Sequence, residues 1–192
     1  MDLNSLRNFC YIKEMEFIKI GKEYLKGTLD REELDCNPFL QATQWFHEAV
    51  KERVADPYAM TLATASEQGK PSARTVLLRG MDETGFIFFT HYLSRKGKEL
   101  DGMPYATLLF LWKELERQLI IEGSCEKIDP SLSDEYFAQR RRASQISAWA
   151  SEQDAPILSR DVLEERYQLS ELKYRDKKVP RPSYWGGYRV VP

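Results

Sequence analysis

Phe39, Ala42, Phe46, Ala49 and Val50 recur at helical spacing behind Asn37-Pro38. Asparagine is a favoured N-cap and proline suits the first helical position, so the pattern predicts an amphipathic helix from 38 to about 53. The period then shortens. Ala59–Ala65 is apolar and threonine-rich, Glu67-Gln68-Gly69-Lys70 is a turn, and 72–79 is a second strand. Asp82-Glu83-Thr84-Gly85 turns the chain into a third strand at 86–90. Glycine-bearing turns between short strands predict an antiparallel meander. Ser94 caps a short helix to about Leu100, and 106–112 and Arg117–Lys127 are two further strands. Ser133-Asp134-Glu135 opens another helix, with acids placed well for its N-terminal dipole. A short helix follows at 143–150. A clearer one runs from Ser159 to about Arg175, with Leu163, Tyr167 and Tyr174 on one face. Val179-Pro180-Arg181-Pro182 ends it, and 183–191 reads as the last strand. Residues 1–36 are mixed and charged; they are expected to be a mobile N-terminal segment, with a short helix possible around 6–26.

Five or six strands with short turns and peripheral helices predict a mainly β domain over 37–192, built as a small antiparallel barrel. The order is not alternating βαβ, and there is no GxGxxG or Walker pattern, which argues against a doubly wound dinucleotide fold.

Bulk properties narrow the function. The net charge of -2 argues against a general nucleic-acid binder, whose affinity needs a basic excess. Three cysteines with no CxxC pair, and only two histidines, argue against a disulfide framework and a metal site. No apolar run reaches membrane-spanning length, and the N-terminus lacks a signal pattern. The expectation is a soluble cytoplasmic protein with reduced thiols.

The candidate chemistry is anion binding. Arg74, Arg95 and Lys96 form a first cationic group, with Ser94 at a helix start and Thr90 as further donors. Guanidinium forks and helix N-termini both suit phosphate. The same cluster would also be compatible with a solvated basic turn. Tyr136, Arg140 and Ser144 lie four apart, along one helical face if the helix continues that far, and offer a second phosphate two hydroxyls and a guanidinium. A solvent-facing stripe is the plainer alternative. Gln118, Gln145 and Gln153 carry amides that suit a flavin's imide edge, although glutamines are ordinary surface residues. Trp112, Trp149 and Trp185 are candidates to shield a ring, or for packing alone.

Several of these motifs occur in one order: Arg74-Thr75-Val76-Leu77-Leu78, Phe89-Thr90, Ser94-Arg95-Lys96-Gly97, Leu115-Glu116-Arg117-Gln118, Tyr136-Phe137, Ser144-Gln145-Ile146, Ala148-Trp149, Val179-Pro180 and Trp185-Gly186-Gly187-Tyr188. From about residue 20 onward that order resembles the pyridoxamine 5'-phosphate oxidase family. The resemblance implies a split β-barrel FMN-binding fold, antiparallel and Greek-key-like. It also implies a homodimer with FMN at the subunit interface. By position it implies that Arg74, Thr90, Arg95 and Lys96 hold the FMN phosphate and ribityl end, with Phe89 and Ser94 also among the cofactor-binding residues. Val76, Leu77 and Leu78 would run beside the flavin, with Arg79 at its edge and Gln118 and Gln153 also in contact, some from the second subunit. Arg79, Tyr136, Arg140 and Ser144 would grip the substrate phosphate, under a covering segment that includes Lys22, Glu23 and Tyr24.

The implied reaction is FMN-dependent oxidation of pyridoxamine or pyridoxine 5'-phosphate to pyridoxal 5'-phosphate, with hydride passing to flavin N5 and oxygen yielding hydrogen peroxide. No protein nucleophile is required. Some positions depart from the family pattern. Arg79 stands where lysine is usual, Gly21 replaces an arginine, Arg141 a proline, Ser147 a glycine and Asp154 a serine. The family's later Trp and Arg-x-His segment has no counterpart before Pro192. If the natural chain ends at Pro192, reduced FMN affinity and turnover are expected. That departure also keeps open a non-catalytic FMN- or pyridoxal-phosphate-binding dimer, or a related split-barrel flavin oxidase such as those of phenazine pathways.

Overall fold

The computed structural model describes Glu23 and residues 25–192. Lys22, Tyr24 and nearly all of the helix expected around 6–26 lie outside the described residues. Leu25 and Lys26, at its end, are not helical; their backbone N–H groups donate to the Glu116 carboxylate at 2.8 and 3.0 Å.

Helix α1 (Pro38–Lys51) starts as its sequence dictates: the Asn37 side chain accepts from the Phe39 N–H, with proline in the first turn. Four strands follow, β1 (Ala59–Ala65), β2 (Pro71–Leu77), β3 (Gly80–Asp82) and β4 (Gly85–His91). Next come α2 (Arg95–Gly102), β5 (Tyr105–Trp112) and β6 (Arg117–Lys127), then α3 (Pro130–Gln139), α4 (Arg142–Ala150), α5 (Arg160–Lys173) and β7 (Trp185–Val191). The strands form one antiparallel sheet in the order β2-β1-β5-β6-β7-β4-β3.

The two ends of that order are consecutive in the chain. The strand expected over 72–79 ends as β2 at Leu77, where it pairs with β1; the chain bends at Leu78–Arg79 and continues as β3, which pairs with β4. Leu78 N–H still reaches Tyr58 O at 2.9 Å, whereas Arg79 N–H reaches Ile87 O at 2.8 Å. The sheet therefore curls into a barrel that is open along one side, and β2 touches β4 across it.

Alternation along the strands fills the interior. Met60, Leu62, Phe86, Phe88, Leu108, Phe110, Trp112, Ile121, Tyr188 and Val190 point inward, and Ala42, Phe46 and Ala49 of α1 close one end. A second cluster, Phe137, Ile146, Tyr174, Val179 and Trp185, binds α3, α4 and the Tyr174 segment to β7. Helix α3 begins at Pro130, capped by Asp129, rather than at Ser133. Ser133 is fully buried within the helix and accepts from the Gly187 N–H at 3.1 Å, docking the helix on the barrel.

The start of α2 lies hard against the chain before it. A Cβ at Gly97 would sit 2.0 Å from Tyr92 O, a backbone atom that cannot move aside, so only glycine permits this approach.

Candidate functional site

A cleft of about 570 Å³ opens between β2, the end of β4, the start of α2, the C-terminal end of α3 and the loop after α4. Five cations line it, Arg74, Arg79, Arg95, Lys96 and Arg140, against one carboxylate, Asp154. The imbalance marks it as a place for anions.

Two cations meet at the root of the first cluster. In the β1–β2 ladder Thr64 faces Ser72 and Leu62 faces Arg74. That register sets two hydroxyls and a guanidinium beside Glu99 of α2. Glu99 Oε2 accepts from Thr64 and Ser72 at 2.5 Å each and from Arg74 Nη2 at 3.2 Å; Oε1 accepts from Arg95 Nε at 2.9 Å. Arg74 also donates to Thr64 Oγ1, Ser72 Oγ and Leu62 O. Burial pushes the Glu99 carboxyl upward, but these hydrogen bonds outweigh it and hold the group at about 2. Glu99 is thus an ionised anchor that fixes the two arginines at one rim of the cleft.

Lys96 is buried as well. Its Nζ donates to Ser94 Oγ at 3.2 Å and to Asp154 Oδ2 at 3.4 Å. Burial lowers its pKa, and the Asp154 charge only partly opposes that. Asp154 Oδ2 also accepts the Arg95 backbone N–H at 3.0 Å. A carboxylate therefore already sits on the donors at the start of α2, the chemistry a phosphate would use.

The second cluster is aromatic and cationic. Tyr136 stacks on Phe89 at 3.9 Å and 8°, and Phe89 on Trp185 at 5.4 Å and 10°. The Arg140 guanidinium lies 4.6 Å from the centre of the Trp185 ring. Its Nη1 is buried with no hydrogen-bond partner, an unusual state for a charged donor. Burial pushes Arg140 below its ordinary pKa and the nearby Arg79 charge adds to that, while Tyr136 opposes it.

Arg140 is not in mid-helix. Helix α3 ends at Gln139, and Arg140 and Arg141 both take extended ψ values, 148° and 139°, before α4 begins. The helical face expected for Tyr136, Arg140 and Ser144 is therefore broken. Tyr136 and Arg140 line the cleft, while Ser144 sits half-buried in the first turn of α4, away from it.

A family model described as Pyridoxamine 5'-phosphate oxidase matches residues 46–172. The pyridoxine/pyridoxamine 5'-phosphate oxidase of Acaryochloris marina is 50% identical over 173 residues, 90% of this chain and 79% of that one. Its namesake in Paraburkholderia phytofirmans is 51% identical over 174 residues, 91% and 81% of the two chains. The chain belongs to the pyridoxamine 5'-phosphate oxidase family. Among solved structures, PhzG from Burkholderia lata 383 in complex with tetrahydrophenazine-1-carboxylic acid matches with a TM-score of 0.81. Its identity is 29%, over 86% of this chain and 82% of that one. A pyridoxamine 5'-phosphate oxidase-related, FMN-binding protein from Nostoc punctiforme matches with a TM-score of 0.64 at 16% identity over 83% of each chain, a likeness of fold. The curled sheet is thus the split barrel of this family.

Of the residues that the family pattern marks, Arg74, Val76, Leu77, Arg79, Phe89, Thr90, Arg95, Lys96, Tyr136, Arg140 and Gln153 all line the one cleft. Thr90 Oγ1 lies 3.3 Å from Gln153 Oε1. Leu78, Ser94 and Gln118 do not line it. Leu78 is in the barrel core, and Ser94 is fully buried as the N-cap of α2 and partner of Lys96. Gln118 lies exposed on the outer face of β6 opposite Leu111. Gln145 is structural: its Nε2 donates to Phe137 O at 2.8 Å and Ala138 O at 3.2 Å, tying α4 to the end of α3. Trp112 and Trp149 donate to Pro57 O and Pro180 O, and of the three tryptophans considered only Trp185 reaches the cleft.

Sequence reasoning missed three contributors. Glu99 is four residues after Arg95, a spacing that signals an ion pair. His91 lines the cleft, stacks on Tyr184 at 4.5 Å and accepts the Leu93 N–H on Nδ1; burial pushes its pKa down. Asp154 gave no signal as an anion, because its donors are 58 and 59 residues away.

Proposed function

We propose that this chain is an FMN-dependent oxidase of pyridoxamine 5'-phosphate and pyridoxine 5'-phosphate, forming pyridoxal 5'-phosphate with oxygen as acceptor and hydrogen peroxide as second product. One observation carries the proposal: a single cleft holds two cationic groups, Arg74/Arg95/Lys96 and Arg79/Arg140, with an aromatic wall of Phe89, Tyr136 and Trp185. Two cationic groups suit two phosphate esters, one on a cofactor and one on a substrate. The residues fit FMN, since the α2 donors already engage an anion, the Asp154 carboxylate, and the unpartnered Arg140 Nη1 leaves a donor for the second phosphate, that of the substrate.

In this proposal Lys96, Arg95, Arg74 and Thr90 hold the FMN phosphate and ribityl end, and Ser94 positions Lys96. Val76 and Leu77 flank the ring, with Leu78 supporting them from the core, and Gln153 and Phe89 complete the site. Arg79, Tyr136 and Arg140 orient the substrate phosphate, and Lys22 and Tyr24 are assigned to the covering segment. FMN, when bound, supplies the two-electron acceptor that oxygen regenerates. The protein's part is to hold the substrate's C4' carbon in line and to keep both phosphates neutralised. For the amine, that carbon gives up a hydride and the nitrogen a proton, and water then replaces nitrogen as ammonia leaves.

A homodimer is part of the proposal. The outer face of β2, β1, β5 and β6 carries exposed Leu77, Tyr105, Leu111 and Ile120, and Ala73, Thr75 and Leu77 belong to both that face and the cleft rim. A second copy seated there would cover the apolar face and bring its own Gln118 close to the cleft of the first. A cytoplasmic location accords with the family; among the described residues no helix is long and apolar enough to cross a membrane.

The likeness to PhzG favours one alternative, a split-barrel flavin oxidase with an unphosphorylated substrate. Turnover separates the two. Pyridoxamine 5'-phosphate is expected to yield pyridoxal 5'-phosphate and peroxide in equal amounts, and pyridoxamine without the phosphate is expected to react at least about a hundredfold less efficiently, the cost of losing a charge-assisted phosphate contact. Equal efficiency for the two would exclude the proposed role of Arg79 and Arg140.

A further inference from the structure

The loop between α4 and α5 places Asp154 with φ +66°, a left-handed backbone that side-chain-bearing residues seldom adopt. In that conformation its Oδ2 takes both the Arg95 N–H, 3.0 Å, and the Lys96 ammonium, 3.4 Å. Lys96 is almost entirely buried, so its charge has few other places to find an anion; its remaining contact is the neutral Ser94 hydroxyl. Asp154 itself is about half exposed and stands in the wall shared by the phosphate cleft and a neighbouring cavity lined by Trp149, Tyr184 and Arg166.

The geometry points to an internal latch: the Asp154 carboxylate occupies the anion seat at the start of α2 and must withdraw before a phosphate ester can take the same donors. This rests on the proposed use of the cleft for a phosphorylated cofactor. A carboxylate and a phosphate cannot both bind one N–H and one ammonium, because like charges at that separation repel strongly in a half-buried site. Leaving is inexpensive for Asp154, since it is solvent-accessible on one side. The latch keeps buried Lys96 paired when the seat holds no ligand, at the expense of affinity for the ligand. Asp154 is thus an affinity-setting residue for the phosphate, whereas Glu99 remains a fixed anchor that no ligand displaces.

The test compares the wild-type protein with Asp154→Asn and, as a control for charge alone, Glu152→Gln. Each is melted with and without saturating inorganic phosphate and titrated with FMN and with riboflavin, which lacks the phosphate. Phosphate is expected to raise the midpoint more in Asp154→Asn than in wild type, relative to each protein's own ligand-free value. The FMN dissociation constant falls about three- to tenfold, the size expected for a partly exposed charged competitor, while riboflavin affinity is unchanged. Glu152→Gln behaves as wild type. A phosphate response equal to or smaller than wild type in Asp154→Asn overturns the latch, as does an equally enlarged response in Glu152→Gln. An enlarged phosphate response with no FMN retention by either protein upholds the latch and removes the FMN reading instead. Should Asp154→Asn fail to fold, Asp154→Ser is read in the same way.

Discussion

Glu99→Gln is expected to destabilise the protein by about 2–3 kcal/mol at neutral pH and to flatten its acid denaturation. The Glu99 carboxylate is 7% exposed and accepts four hydrogen bonds, two from hydroxyls and two from guanidinium groups. Glutamine keeps the shape but removes the charge, and its amide turns a donor toward groups that are themselves donors. Arg74, 19% exposed, is left with neutral partners only. The sign of the pH effect follows from the direction of the shift. Glu99 lies near 2 in the fold against an ordinary 4.5, so its stabilisation is fully present above about pH 4.5 and is lost as pH falls toward 2. A shift of that size corresponds to about 3 kcal/mol, of which some is lost to solvent relaxation. Urea unfolding of both proteins between pH 7 and pH 2.5 measures it. The wild-type free energy should fall over that interval and the variant's should fall less, so that the two converge at low pH. Parallel curves would mean that Glu99 is not the ionised anchor described.

Arg140→Ala is expected to raise the Michaelis constant for pyridoxamine 5'-phosphate by roughly 30- to 100-fold, with little change in FMN retention. Arg140 keeps a buried Nη1 without an acceptor and is held over Trp185 by a cation–π contact. An unpaired buried donor on a cation costs stability, and Arg79 adds repulsion. Removing Arg140 should therefore change ligand-free stability by less than about 1 kcal/mol, because the lost cation–π contact is offset by relief of that cost. A substrate phosphate would satisfy both arginines, so the deficit appears when the ligand binds. Steady-state kinetics with the phosphorylated substrate, alongside a flavin-release measurement, separates the effects. A loss of FMN as large as the loss of substrate affinity would contradict the assignment of two separate phosphate positions.

The strands were legible because period-2 patterning and glycine turns are local signals, and Ala59–Ala65 and Arg117–Lys127 lie where the sequence puts them. The bend after Leu77 was not, since it depends on which strand each half pairs with. The start of α3 was misplaced although Asp129-Pro130 carries its own cap-and-proline signature, the same kind that identified α1. Extending that helix through Arg140 failed because two extended residues interrupt it. The cations were readable as residue types in an ordered set of motifs. Their partners were not: Thr64, Ser72 and Arg74 meet Glu99 only after strand register and helix docking are fixed, and Asp154 reaches its donors from a distant loop. Gln118 lies exposed on an outer face, outside the cleft to which the family pattern assigned it.

The most direct test of the central claim, that this cleft seats FMN beside a phosphorylated pyridoxamine, is the visible spectrum of the FMN-reconstituted protein under anaerobic conditions as pyridoxamine 5'-phosphate is added. The account predicts one bound flavin per chain, bleaching of its band on addition, and return of the band when air is admitted. A retained flavin whose band the substrate leaves unchanged, or a protein that retains no flavin, would contradict it.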